Sequence, residues 1–209
     1  MEIEIYSDVV CPWCYIGMRR LMRVVESDGG PVTLRWRAFQ LDPSAPESPR
    51  PLLDSLAEKF GGPERARQIT ERTAAAAQAE GIELNFDQAL TANTFDAHRL
   101  IWFSARSGKQ AALVEALHRA HFTDGLDVGS PWVLASVADS VDVNGAAAFL
   151  SSDAGVREVR AELDQGRELG ITSVPTFVFA GRYAVTGAQE ESTLRQVLEE
   201  VRRREESPA

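Results

Sequence analysis

The chain has 209 residues, 44% of them hydrophobic and 25% charged, which suits one large globular domain or a smaller one carrying an insertion. A net charge of −9 argues against a nucleic-acid partner, and no apolar run approaches the roughly 18 residues needed to span a bilayer. The opening Met1-Glu2-Ile3-Glu4-Ile5-Tyr6 has neither a basic nor an apolar leader region, so a cytoplasmic setting is expected.

Residues 2 to 7 alternate polar and apolar, the pattern of a strand. The period then changes. Cys14, Met18, Leu21, Met22 and Val25 mark the buried stripe of a helix that opens at Cys11 and stops at Asp28-Gly29-Gly30-Pro31. Val32 to Phe39 alternate again, so the first forty residues read as two parallel strands joined by a helix. Leu41 to Pro51, with four prolines and two serines, reads as a linker.

From about 52 to 168 the signal is helical. Phe95, His98, Ile101, Trp102 and Ala105 fall on one helix face, and Leu113, Val114, Leu117 and His121 on another. Ser130-Pro131 opens a further helix, and Gly170 ends one that runs from Val156 to Leu169. Thr176–Phe179 and Tyr183–Val185 flank Ala180-Gly181-Arg182 as a hairpin. A last helix buries Leu194, Val197, Leu198 and Val201, pairs Glu191 with Arg195, and frays over Arg202 to Ala209. Neither flank has enough strands for a sheet alone. Together they give an α/β fold: a four-stranded mixed sheet with helices on both faces, formed by residues 1–45 and 170–209, and a helical insertion over 50–168.

The only two cysteines lie three apart, in Cys11-Pro12-Trp13-Cys14 at the helix start. In a reducing compartment such a pair is more often catalytic than structural. The unpaired N–H groups and positive dipole end of a helix start favour a thiolate at Cys11, so its pKa is expected below that of free cysteine. Pro12 fits a first turn, which has no use for its N–H. Cys14, on the buried stripe, is the shielded thiol that resolves a mixed disulfide formed at an exposed Cys11. Trp13, between them, is a surface contact for substrate. A metal site would need four ligands, and only His98, His118 and His121 remain, none spaced with the cysteines; no metal is expected.

Asp8-Val9-Val10-Cys11-Pro12-Trp13-Cys14-Tyr15-Ile16-Gly17, Trp36-Arg37-Ala38-Phe39-Gln40-Leu41, Asn93-Thr94-Phe95-Asp96-Ala97-His98-Arg99-Leu100 and Ile171-Thr172-Ser173-Val174-Pro175 occur in that order. They resemble the thioredoxin superfamily, within it the DsbA-like family and its cytoplasmic FrnE-type branch, over nearly the whole chain. The resemblance implies a thioredoxin-like sheet, a cis Val174–Pro175 bond against the cysteines, and Val174 pairing its backbone with an extended substrate. Some members of this branch carry a second cysteine pair near the C-terminus. This chain has none, so an external thiol must recycle it.

The activity so implied is thiol–disulfide exchange on protein or small-molecule thiols and disulfides, with no bound cofactor and with glutathione as a co-substrate. Two alternatives stand beside it: a glutathione-dependent isomerase or transferase of small aromatic compounds, whose relatives carry serine at the first cysteine, and a redox-switched binding protein or holdase. His98 is read first as a core histidine, with proton transfer to the cysteines as its functional alternative. Asn93 is read as a helix cap before a ligand contact. Gln189, in Gly187-Ala188-Gln189 at the last helix start, is read as a turn or as part of a carboxylate site for glutathione. His118 and His121 are assigned no role, and most of the other aromatic residues are read as core.

Overall fold

In the computed structural model, which describes residues 1–46 and 48–206, a four-stranded sheet is ordered β2-β1-β3-β4. Strand β1 (Glu2–Ser7) runs parallel to β2 (Thr33–Ala38), in register from Glu2↔Thr33 to Ser7↔Ala38. On its other side β1 pairs antiparallel with β3 (Thr176–Phe179), which turns back through a hairpin to β4 (Tyr183–Thr186). Ala180 and Gly181 both take positive φ in that hairpin, so a β-branched residue would be strained there.

The alternation of β1 suggests one solvated face, but the strand is buried on both from Ile3 to Ser7. Helix α8 (Val156–Glu168) covers the second face. Its Gly166 lies so close to Tyr6 that an added Cβ would sit 3.2 Å from the ring. Arg37 bridges Glu4 at 2.7 Å and Glu162 at 2.9 Å, which lets the charges enter a covered surface as pairs. The outer edge of β2 is closed by side chains: Ala38 donates its N–H to Glu162 and Trp36 donates to Gln110.

Helix α1 (Pro12–Asp28) follows β1 and ends at Gly29 in the left-handed conformation. Between β2 and β3 come α2 (Leu52–Phe60), α3 (Pro63–Ala79), α4 (Phe95–Ser104), α5 (Gln110–Phe122), α6 (Pro131–Asp139), α7 (Ala146–Leu150) and α8 (Val156–Glu168). One hydrophobic cluster runs from Ile3, Ile5, Phe177 and Phe179 of the sheet through Met18 and Leu21 to Leu117 and Phe122 of the helical insertion.

Four expectations are corrected. The buried face of α4 is Ala97, Leu100, Ile101 and Ser104 with His98; Phe95 and Trp102 are half-buried, and Ala105 is exposed in a short 3-10 turn beyond the helix. Helix α9 (Glu191–Glu206) does not fray at Arg202: Val201 is buried and Arg202 bonds Asp28 of α1 at 2.7 Å, while residues 207–209 lie outside the described residues. Glu191 pairs with Arg23 of α1 at 2.6 Å instead of Arg195, because α9 packs on α1. Trp132 departs from the reading of most aromatic residues as core, being 79% exposed.

Candidate active site

The site lies where β1 hands over to α1. Cys11 is the N-cap residue of that helix, with extended φ and ψ, and Pro12 occupies the first helical turn. The Cys11 N–H donates to the Asp8 carbonyl at 3.0 Å, and its own carbonyl accepts from Cys14 at 3.0 Å. The loop between strand and helix is therefore a tight turn, with Cys14 one turn inside the helix. Both cysteines are free thiols.

Cys11 is not exposed as expected; it is 5% exposed and Cys14 is 1% exposed. The Cys11 Sγ lies 3.8 Å from the Val174 carbonyl, so the Val174 segment covers it. The exposed residue of the motif is Trp13, at 43%. Burial pushes the Cys14 thiol well above the ordinary cysteine range, and the neighbouring Cys11 sulfur pushes the same way. Contacts with the Asp8 backbone and the Ser7 side chain oppose this without reversing it.

The Val174–Pro175 peptide is cis, Pro175 is buried and Val174 half-buried. Pro175 packs on α1 at Gly17, where an added Cβ would lie 2.9 Å from the proline ring, 3.2 Å from Phe177 and 3.4 Å from the Ala188 backbone. The only outward signal for this in the sequence is a glycine inside a helical pattern, a residue that ordinarily weakens a helix.

Beneath the cysteines lies a buried polar cluster. Asp8 is 1% exposed; its Oδ2 accepts the Leu41 N–H at 2.8 Å and its Oδ1 is 3.4 Å from His98 Nε2. His118 and His121 of α5, which sequence reasoning left aside, are fully buried in the same region. Burial lowers His118 to about 3 and His121 to about 4, so both imidazoles are neutral at pH 7. His98 is the histidine within contact distance of Asp8; the Asp8 charge also acts on His118 and His121 through space, raising both against the lowering by burial. Among the described residues no group of three or more histidine, cysteine, aspartate or glutamate side chains is arranged to hold a metal ion.

Asn93 and Gln189 are used locally. Asn93 Oδ1 accepts the Phe95 N–H at 3.1 Å from one residue ahead of Thr94, the N-cap of α4, and its amide donates to the Ala45 carbonyl at 3.2 Å. Gln189 donates its side-chain amide to the Thr186 carbonyl at 2.7 Å in a turn before α9, which begins only at Glu191. Leu41, 44% exposed with its N–H held by Asp8, is a site neighbour that its linker-like sequence did not reveal.

The site thus joins a helix-start cysteine, a second cysteine one turn inside the helix, and a cis-proline segment facing them. A probable DsbA oxidoreductase from Streptomyces coelicolor is 33% identical, covers 100% of this chain and 92% of its own, and superposes with a TM-score of 0.90. At 21% identity, a 2-hydroxychromene-2-carboxylate isomerase shares the fold with a TM-score of 0.71 and 97% coverage of both chains. The cytosolic disulfide reductase DsbM from Pseudomonas aeruginosa, solved with GSH, shares it at 19% identity and a TM-score of 0.68, covering 98% of this chain and 100% of its own. Residues 2–199 match the DSBA-like thioredoxin domain, and the chain belongs to that family.

Proposed function

We propose that this protein is a thiol–disulfide oxidoreductase working through a Cys11/Cys14 dithiol–disulfide couple. The observation that carries the reading is the asymmetry of the pair: Cys11 at the N-cap of α1, Cys14 one turn deeper and held protonated by burial. The Cys11 thiolate attacks a substrate disulfide RS–SR′, forming Cys11–S–S–R and releasing R′S⁻. Cys14 then gives up its proton and attacks the Cys11 sulfur, which forms the internal disulfide and releases RS⁻. Asp8 and His98 are the acceptors proposed for that proton, since they are the buried carboxylate and imidazole at the base of the loop. Two molecules of glutathione, oxidised to GSSG, return the pair to the dithiol.

Pro12 and Trp13 on one side, and Val174 and Pro175 on the other, are the residues proposed to flank substrate. The Val174 carbonyl already faces Cys11. A cytosolic setting, as in the name of the DsbM relative, is where glutathione would serve. We favour exchange over the isomerase or transferase alternative on local chemistry. Gln189 is bonded to Thr186, and the start of α9 carries Glu190 and Glu191, which already occupy the nearby cations Arg20 and Arg23 and leave no charge there to hold a glutathione carboxylate among the described residues.

Purified protein with glutathione should reduce a disulfide reporter such as insulin. Cys11→Ser should abolish turnover, and Cys14→Ser should accumulate a mixed disulfide on Cys11 that mass spectrometry detects. Full activity in Cys11→Ser would sink the reading.

A further inference from the structure

His118 is an expensive residue for its position. It is 0% exposed, and neither ring nitrogen makes a full hydrogen bond among the described residues. An apolar ring of similar size would avoid burying those two polar atoms. Packing alone therefore does not account for a histidine here.

Its surroundings supply a reason. The ring stacks on Tyr15 with centroids 4.9 Å apart and planes 6° from parallel. Tyr15 is itself held by a hydrogen bond from its hydroxyl to Glu115, which also pairs with Arg19. The polar edge of the same imidazole faces the Val9 carbonyl, in looser geometry than a full hydrogen bond. Val9 lies two residues before Cys11 and Tyr15 one residue after Cys14. One side chain from the helical insertion thus touches both ends of the redox loop.

We propose that His118 is a positioning residue for the Cys11–Cys14 couple: its imidazole braces the loop at Val9 and Tyr15, and its N–H closes a full bond to the Val9 carbonyl when the disulfide forms. The inference rests on the redox reading above. Forming the disulfide draws the two sulfurs to about 2.05 Å, so the turn between them must tighten. Val9 moves with Cys11, because the Asp8 carbonyl to Cys11 N–H bond makes Val9 part of the same turn. A bond made more fully in one redox state than in the other shifts the equilibrium between them.

The balanced reaction is Cys11–SH + Cys14–SH + GSSG ⇌ Cys11–S–S–Cys14 + 2 GSH, read by alkylation and mass spectrometry in glutathione buffers of varied ratio. His118→Phe keeps the ring stack and removes the donor. It should lower the equilibrium constant for the disulfide about tenfold, a couple about 30 mV more oxidising, while its thermal stability equals or exceeds that of the parent. His121→Phe is the control. His121 is equally buried, but its ring packs edge-on against Phe122 at 4.4 Å, while the stack on Tyr15 belongs to His118, so this variant should leave the constant within twofold. His118→Leu, measured in parallel, keeps the test open if phenylalanine is not accommodated. The inference is overturned if folded His118 variants stay within twofold of the parent, or if His121→Phe shifts the constant as far. A parent protein that forms no internal disulfide at any glutathione ratio would overturn the redox reading and this inference together.

Discussion

Gly17 shows how one residue can serve the site by lacking atoms. In an ordinary helix interior, alanine would be favoured over glycine by about 1 kcal/mol. Here the added methyl would meet the Pro175 ring at 2.9 Å, and neither a proline ring nor the helix backbone yields easily. Overpacking of this kind costs about 1–3 kcal/mol. Gly17→Ala should therefore lower the denaturant midpoint, by a net of about 1 kcal/mol, and slow disulfide exchange by displacing Pro175 from the cysteines. A midpoint above that of the parent would show that helix propensity wins. The sequence carried part of this: Cys11, Cys14 and the helix start were legible from spacing and period, because those are local properties. The depth of Cys11 was not, since it depends on the Val174 segment, 163 residues away in the chain.

Among the elements, α8 has the least obvious task. Its period and its stop at Gly170 are plain in the sequence, but its place against the sheet is not. Glu162 is what fixes it: one carboxylate oxygen accepts the Ala38 N–H on the β2 edge, and the other pairs with Arg37. Glu162→Ala would strand that edge N–H and leave Arg37 with Glu4 alone. A loss of about 1–3 kcal/mol is expected from the unpaired buried groups, measurable by urea denaturation; a change below about 0.5 kcal/mol would mean that α8 is held by apolar contact only. The misjudged face of α4 has the same origin. Phe95 and Trp102 are the larger apolar side chains, but burial went to Ala97, Leu100 and Ser104, because neighbouring elements determine which stripe of a helix is covered.

Across the whole molecule, the buried histidines tie stability to pH. His118 and His121 are neutral when folded, lowered to about 3 and about 4, and take up protons near 6.5 when unfolded. The unfolded chain then binds more protons below pH 6.5, so their contribution is fully present above that value and is lost as pH falls towards 4 and 3. At pH 5 each histidine should cost about 2 kcal/mol relative to neutral pH. Urea midpoints measured between pH 7.5 and 5 should fall accordingly, and should fall less in His118→Phe; equal slopes in parent and variant would refute the assignment. Composition, hydrophobic period, turn residues and the spacing of Cys11 and Cys14 by themselves determined the strand and helix order, the interrupted sheet and the paired-cysteine motif, because each is written in residues close together in the chain. Only the tertiary structure decided that Asp8 meets His98 behind that motif, that His118 stacks on Tyr15, that Gly17 makes room for Pro175, and that Cys11 is covered. Those contacts join segments far apart in sequence, and close packing of the insertion against the sheet, not any local preference, brings them together.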